Sequence, residues 1–280
     1  MQTKSLRSLS DLTICIKGAG EIASGVACRL FKSNFHKIVM LEVEQPLAVR
    51  RHVSFCEAVY DGTKVVEWVT AVKGADARDI HNTWARREIA VLIDPPGGSY
   101  IKKLRPDILV DAILAKKNIN TNIQDANLVI ALGPGFEAGK DTRFVIETNR
   151  GHNLGRIIGS GRAEPDTGIP GAVCNYTIER VLRSGGNGIF ETIKKIGDRV
   201  EKGDIIGEVD GIKVNAGISG IIRGLIRPGI VVTESMKIGD IDPRGKAEYL
   251  HTVSDKARAV GGAVLESILR VYNTRENQVG

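Results

Sequence analysis

Gly18, Ala19, Gly20, Glu21, Ile22 and Ala23 stand between a β-branched run, Leu12 to Lys17, and an apolar stripe in which Ile22, Val26 and Leu30 recur at every fourth position. A G-x-G-x-x-G/A pattern at a strand-to-helix junction permits a tight turn and brings main chain close to a ligand. It also aims the N–H groups and positive dipole end of a helix at a phosphate. Gly18, Gly20, Glu21 and Ile22 are the first candidate binding residues on that ground. Glu42, near the end of the run Lys37 to Val43, stands where the ribose-holding acid of such a unit is expected. The plainer reading is a set of small residues making a close helix-to-strand contact, with Glu42 a solvated strand end. On either reading Gly25 is expected to let helix and strand approach.

Two further glycine-rich loops follow apolar runs. Asp94 to Ser99 contains Pro96, Gly97 and Gly98; Leu132 to Asp141 contains Gly133, Pro134 and Gly135. In an open α/β sheet the loops at the carboxyl ends of strands line the ligand crevice, so these loops are candidates for extra main-chain donors to an anion. Ordinary turn chemistry explains them equally well. Lys116, in the segment Ala115 to Asn118, is a candidate to neutralise a phosphate. Arg150 and His152 flank Gly151, but no nucleophile motif stands beside them, so no catalytic residue is assigned and enzymatic activity stays open. The four cysteines, Cys15, Cys28, Cys56 and Cys174, have no metal-ligand spacing; no metal site is expected and the thiols read as reduced.

These residues need a scaffold. From Leu12 to about residue 148, Val/Ile/Leu-rich runs bounded by Gly, Pro and Asp alternate with helix-like segments, among them Thr63 to Val72 read as one strand. Runs of this kind are strands buried on both faces of a parallel sheet covered by helices, an α/β architecture. With the glycine fingerprint, the expectation is a Rossmann-like domain over residues 1–187.

Residues 188–245 change character. Glycine becomes frequent and short alternating strands are joined by turns. Gly188, Gly197, Val200, Ile206, Gly207, Glu208 and Val209 recur as Gly220, Gly229, Val232, Ile238, Gly239, Asp240 and Ile241, at one offset of thirty-two positions. Two β half-units so related are similar to the interlocked halves of a biotinyl/lipoyl-like hammerhead module. Glu234 to Ile238 echoes a biotinylation sequence, but the offset pairs Lys237 with Ile205, inside a half-unit. Lys213, in the segment between halves, is the better positional analogue of a carrier lysine and lacks the Met-Lys-Met flanks. The last segment, 246–280, opens a helix at Ser254, with Val260, Val264 and Ile268 on one face, expected to pack back on the first domain.

The net charge of +6 comes from short basic pairs and aromatics are 5% of the chain, so nucleic acid binding is not expected. The N-terminal apolar run is too short for a signal peptide or a membrane span, which leads us to expect a cytoplasmic protein without membrane association.

Several long motifs carry a resemblance: Glu44 to Gly62, Arg105 to Asn118, Ala131 to Asp141, Glu147 to Arg156, Thr167 to Gly171, Lys237 to Gly245 and Ser254 to Glu266. In this order, through nearly the whole chain, they resemble the YqeB-type accessory proteins of selenium-dependent molybdenum hydroxylase systems. The resemblance implies a role in maturing a molybdenum hydroxylase, with the apoenzyme or its maturation machinery as partner. It implies no defined reaction and carries over no active-site residues. A molybdopterin-type cofactor or a nucleotide would suit the glycine loop, as in the xanthine dehydrogenase accessory factors, which are similar at the level of fold. The alternatives are an NAD(P)-dependent oxidoreductase and a lysine-modified carrier protein; a homo-oligomer is compatible with all three.

Overall fold

The structure is a computed structural model that describes residues 8–94 and 99–273. It divides into two compact units, one of residues 1–46, 54–166 and 253–280, the other of 47–53 and 167–252. The seam therefore lies at 166/167, where sequence composition puts it at 187/188. Residues 47–53 and the C-terminal helix each belong to a unit distant in sequence.

In the first unit the apolar runs form β1 (Ile14–Lys17), β2 (Ile38–Glu42), β3 (Thr63–Val66), β4 (Val69–Lys73), β5 (Ile89–Ile93), β6 (Ile108–Asp111), β7 (Leu128–Leu132), β8 (Glu137–Ala138), β9 (Phe144–Ile146), β10 (Ile157–Ile158) and β11 (Gly161–Arg162). Nine of these make one sheet in the order β10-β9-β7-β6-β1-β2-β5-β4-β3, and β8 pairs with β11 apart from it. The strands from β9 to β4 are parallel. Only the outermost strands, β3 and β10, are antiparallel to their neighbours. The chain builds outward from β1 through β2 to β5, then returns to the other side of β1 with β6, β7 and β9, so the strand order reverses between β1 and β6.

The helices are α1 (Glu21–Lys32), α2 (Ala58–Asp61), α3 (Ala77–Ala85), α4 (Ser99–Leu104) and α5 (Asp255–Tyr272). On one sheet face Cys15, Val39, Leu41, Ala90, Leu92, Leu109 and Val129 pack with Ile80 of α3 and Ile101 of α4. Because side chains alternate along a strand, Ile14, Ile16, Ile38 and Met40 turn to the other face, and all four are fully buried.

Three expectations change here. The strand–helix alternation stops at β6: among the described residues no helix joins β6 to β7 or β7 to β9, and α5 packs on β7 and β9 instead. The run Thr63 to Val72 is a hairpin, because Glu67 (φ 45°) and Trp68 (φ 67°) turn the chain between β3 and β4. Gly25 meets a helix rather than a strand. A Cβ on Gly25 would stand 2.6 Å from Ala257 Cβ in α5, and one on Gly261 would stand 3.1 Å from the Arg29 Cβ and the Gly25 carbonyl oxygen. Since 25 meets 257 and 29 meets 261, α1 and α5 run parallel and begin at the same edge of the sheet.

The second unit contains β12 (Val181–Arg183), β13 (Gly188–Glu191), β14 (Arg199–Val200), β15 (Ile205–Val209), β16 (Ile212–Asn215), β17 (Gly220–Leu225), β18 (Ile230–Val232) and β19 (Lys237–Asp242). They form two four-stranded sheets, β12-β19-β17-β14 and β16-β15-β13-β18. The sequence repeat superimposes β13 on β17, β14 on β18 and β15 on β19. Each half therefore lends its short middle strand to the sheet of the other: β14 pairs with β17, and β18 with β13. Between the sheets lie Phe190, Ile206, Val209, Ile222, Leu225, Ile238 and Ile241. Residues 47–53 strap this core, with the Leu225 N–H donating to Val49 and the Arg51 side chain donating to the Leu225 carbonyl.

Among the described residues no helix is long and apolar enough to cross a membrane.

Candidate functional site

The turn from β1 into α1 is held on every side. Gly18 has φ 88°, its N–H donates to the Leu41 carbonyl at 2.7 Å, and a Cβ there would stand 3.2 Å from the Ala112 carbonyl oxygen. Glycine is required at that position by both the turn and the chain leaving β6. Ala19 donates its N–H to Glu42 Oε2 at 2.8 Å. Its carbonyl accepts the Cys56 N–H at 2.8 Å and the Ser24 hydroxyl at 3.0 Å. The Ser24 Oγ in turn accepts the Phe55 N–H at 2.8 Å.

Gly20 differs from Gly18. Its φ is −69°, an angle open to any residue, and nothing lies within 4 Å of where its Cβ would be. Neither backbone conformation nor packing calls for glycine, so this position leaves open space directly before the first-turn N–H groups of α1. Those groups have no acceptor within a helix, and Gly20 as N-cap offers no side chain to them. Glu21 and Ile22 follow, both half-buried.

Glu42 is placed at the loop, where its carboxylate holds the protein's own main chain. Besides the Ala19 N–H, it accepts the Val43 N–H on Oε1 at 2.8 Å. Burial raises its carboxyl above the ordinary 4.5, against the pull of the two N–H donors.

Sequence reading missed the floor of the site. Lys17 and Asp111 close the neighbouring strands β1 and β6 and stand in register. Lys17 Nζ donates to Asn120 Oδ1 at 2.5 Å and to Thr121 Oγ1 at 2.6 Å, and lies 3.4 Å from Asp111 Oδ2. The Thr121 hydroxyl donates to Asp111 Oδ2 at 2.6 Å. Two hydrogen bonds from one ammonium, with its ion pair to the end of β6, thus fasten the long β6–β7 connection beside the reversal point. The available signal was a charged residue ending each of two otherwise apolar strands, Ile14–Lys17 and Ile108–Asp111.

The other candidates divide. Pro96, Gly97 and Gly98 lie outside the described residues. Gly133 (φ 76°) and Gly135 (φ 107°) are needed for close approach: a Cβ on the first would stand 2.6 Å from Thr148 Oγ1, on the second 2.5 Å from the Lys117 Cα. Pro134 sits half-buried between them. Loops after β6 and β7 are thereby pressed together at the same sheet edge as the α1 start. Lys116 is exposed and pairs with Asp166 at 2.6 Å. Arg150 makes a two-pronged bond to Asp255 in the first turn of α5, at 2.7 and 2.8 Å. Next to it, half-buried Lys256 has its pKa lowered by burial and by the Arg150 charge, with Glu21, Asp166 and Glu147 acting oppositely. His152 is exposed. Among the described residues no group of three or more His, Cys, Asp and Glu is placed to hold a metal ion.

In the second unit the β15–β16 turn is made by Asp210 (φ 44°) and Gly211 (φ 84°). Lys213 therefore stands beyond the tip, within β16 and opposite Glu208.

No protein-family model matches the chain. Over 260 residues, 93% of the chain, it is 47% identical to the uncharacterized protein YqeB of Escherichia coli (strain K12), 48% of which is covered. The chain thus spans about half the length of that curated relative. The likeness supports the YqeB side of the resemblance and is silent on any hydroxylase. Among solved structures, TcdA (CsdL) is 13% identical with a TM-score of 0.35, covering 95% of this chain and 89% of that one. The product-bound ectoine utilization protein EutE (DoeB) from Ruegeria pomeroyi is 13% identical with a TM-score of 0.23, over 77% and 61% of the two chains. An aspartoacylase family protein from Mesorhizobium loti is 15% identical with a TM-score of 0.26, over 82% and 84%. Likenesses this distant carry over neither a fold nor an activity.

Proposed function

We propose that the first unit binds a phosphate-bearing cofactor or nucleotide at Gly18–Ile22, and that the chain serves as an accessory factor in maturing a molybdenum hydroxylase. The observation that carries the binding half is the open space before Gly20. It is a glycine that the fold does not need, at a helix start, on a turn locked by Glu42, Ser24 and Cys56, beside the point where strand order reverses. Ligands of open α/β sheets bind outside the carboxyl ends of strands at such a point. A Rossmann-like reading of the unit is supported by the order β5-β2-β1-β6-β7-β9, which follows the doubly wound dinucleotide-binding arrangement.

The maturation half rests on the motif resemblance. Molybdopterin and its dinucleotide forms are anionic and phosphate-bearing, so the chemistry that suits a nucleotide suits them. A hammerhead-like reading of the second unit is supported by its interlocked halves, and we assign it the docking of the apoenzyme or its maturation machinery. The carrier alternative is weakened by the place of Lys213 beyond the turn.

The test has two parts. Thermal shifts of the purified chain are measured with NAD, NADP, CTP, CDP and molybdopterin forms; stabilisation by none of them removes the binding half. In a strain lacking the gene, the hydroxylase polypeptide is expected to be present but short of molybdenum and activity, both restored by added protein. Full molybdenum occupancy without the gene overturns the maturation half, and steady NAD(P)-dependent turnover by the protein alone favours the oxidoreductase.

A further inference from the structure

Residues 156–162 wrap a cleft remote from the glycine loop. It has a volume of about 250 Å³ and is lined by Arg156, Ile157, Ile158, Gly159, Ser160 and Arg162. It lies at the outer strand β10, four places from β1 in the sheet, about 19 Å at ordinary strand spacing. The antiparallel pairing of β10 with β9 carries Ile158 toward the amino end of the parallel strands, opposite to the end where α1 starts.

The groups around this cleft are donors. Arg156 is exposed, and its side chain makes no hydrogen bond or ion pair among the described residues. The N–H groups of Gly159 and Ser160 and the Ser160 hydroxyl find no partner there either. Arg162 is tied at 2.7 Å to Glu137 Oε2 through one nitrogen, which leaves other guanidinium donors unused. Gly161, with φ 92°, sets the turn between the two arginines. Lys140 Nζ also lies 3.9 Å from Glu137 Oε2, so three cationic side chains stand against this one carboxylate, and guanidinium forks favour oxyanions with two oxygens in one plane.

We infer that this cleft is an oxyanion site, taking a carboxylate or phosphate group of a small molecule, separate from the glycine loop. Arg156 supplies the fork, while Ser160 and the Gly159–Ser160 amides close on the remaining oxygens. The site does not depend on the function proposed for the glycine loop.

The isotope-labelled full chain is titrated at constant ionic strength with inorganic phosphate, with acetate, and with chloride as control, following the amides of Gly159 to Gly161. Saturable shifts are expected with phosphate or acetate and not with chloride; the oxyanion that saturates at lower concentration identifies the preferred head group. Arg156→Gln is expected to weaken binding about tenfold or more, the loss of one charge-assisted hydrogen bond, at an unchanged melting temperature because the side chain is exposed. Ser160→Ala weakens it less, and Gly20→Asp leaves it as in the wild type. Shifts that never saturate, or equal affinity in wild type and Arg156→Gln, overturn the inference.

Discussion

Glu42 Oε2 lies 2.8 Å from the Ala19 nitrogen, so the acid that ends β2 holds the turn that ends β1. The bond fixes the Gly18–Ala19 peptide plane, the one that leads from Gly18 toward Gly20. Burial raises the Glu42 carboxyl above 4.5, so the folded chain favours its neutral form. Its contribution to stability is full below 4.5 and is lost as pH rises through the raised pKa. Glu42→Gln does not titrate. The stability difference between wild type and Glu42→Gln is therefore expected to favour the wild type most in acid and to shrink toward neutral pH. Thermal melts across that range check this; a difference independent of pH contradicts it.

Gly20 is expected to separate binding from folding. Nothing occupies the space before it and its φ is ordinary. The unfolded-state gain of Gly20→Ala is opposed by the poor N-capping of alanine, so stability should change by no more than about 1 kcal/mol. Gly20→Asp places a carboxylate where a phosphate would sit, and should abolish any thermal shift given by a nucleotide or molybdopterin form while the chain stays folded. Equal ligand stabilisation of Gly20→Asp and wild type would remove the glycine loop as the site.

The α1–α5 crossing gives a paired prediction. Alanine is the better helix former, by about 1 kcal/mol over glycine, yet a Cβ on Gly25 would meet Ala257 Cβ at 2.6 Å. Overpacking of this kind costs about 1–3 kcal/mol, so Gly25→Ala should lower stability. Ala257→Gly in the same chain should restore much of the loss. Urea unfolding of the four members of this cycle measures the coupling, and additive effects would mean the helices do not meet there.

Lys17→Met should be among the most damaging single changes. Lys17 and Asp111 are both buried, and removing one partner leaves a buried charge uncompensated, at a cost of about 3–5 kcal/mol. Lys17→Met with Asp111→Leu should lie closer to wild type than Lys17→Met alone. Chemical denaturation distinguishes this from a surface pair, for which each loss would be near zero.

Lys213 faces Glu208 across β15 and β16, while Asp210 and Gly211 hold the turn. Protein purified from its own host is expected to have the intact mass of the unmodified chain. A mass increase matching biotin or lipoate, lost in Lys213→Arg, would instead establish a carrier.

Local pattern was enough to find much of this protein. Unbroken apolar runs mark β1, β2, β5, β6 and β7, because strands buried on both faces have no polar side to display. The small-residue knot at Gly18–Ala23 marks the strand-to-helix turn, and the thirty-two-position offset marks the paired halves of the second unit. Each of these signals lies within a few dozen residues.

Tertiary structure decided what depends on residues far apart. The gap between Glu67 and Trp68 in an otherwise continuous β-type run is visible only as backbone angles, since neither residue is a usual turn former. Gly25 has one neighbour that matters, Ala257, and no local pattern names a partner 232 positions away. Lys17 and Asp111 look like strand ends until the parallel pairing of β1 with β6 puts them side by side. Glu42 reads as the end of a strand until the fold sets its carboxylate against the Ala19 N–H. Sequence periodicity determines which face a residue shows, because that follows from backbone geometry over a few residues; which group it meets is set by packing of the whole chain, where the cost of burying a charge or an unpaired N–H selects the partner.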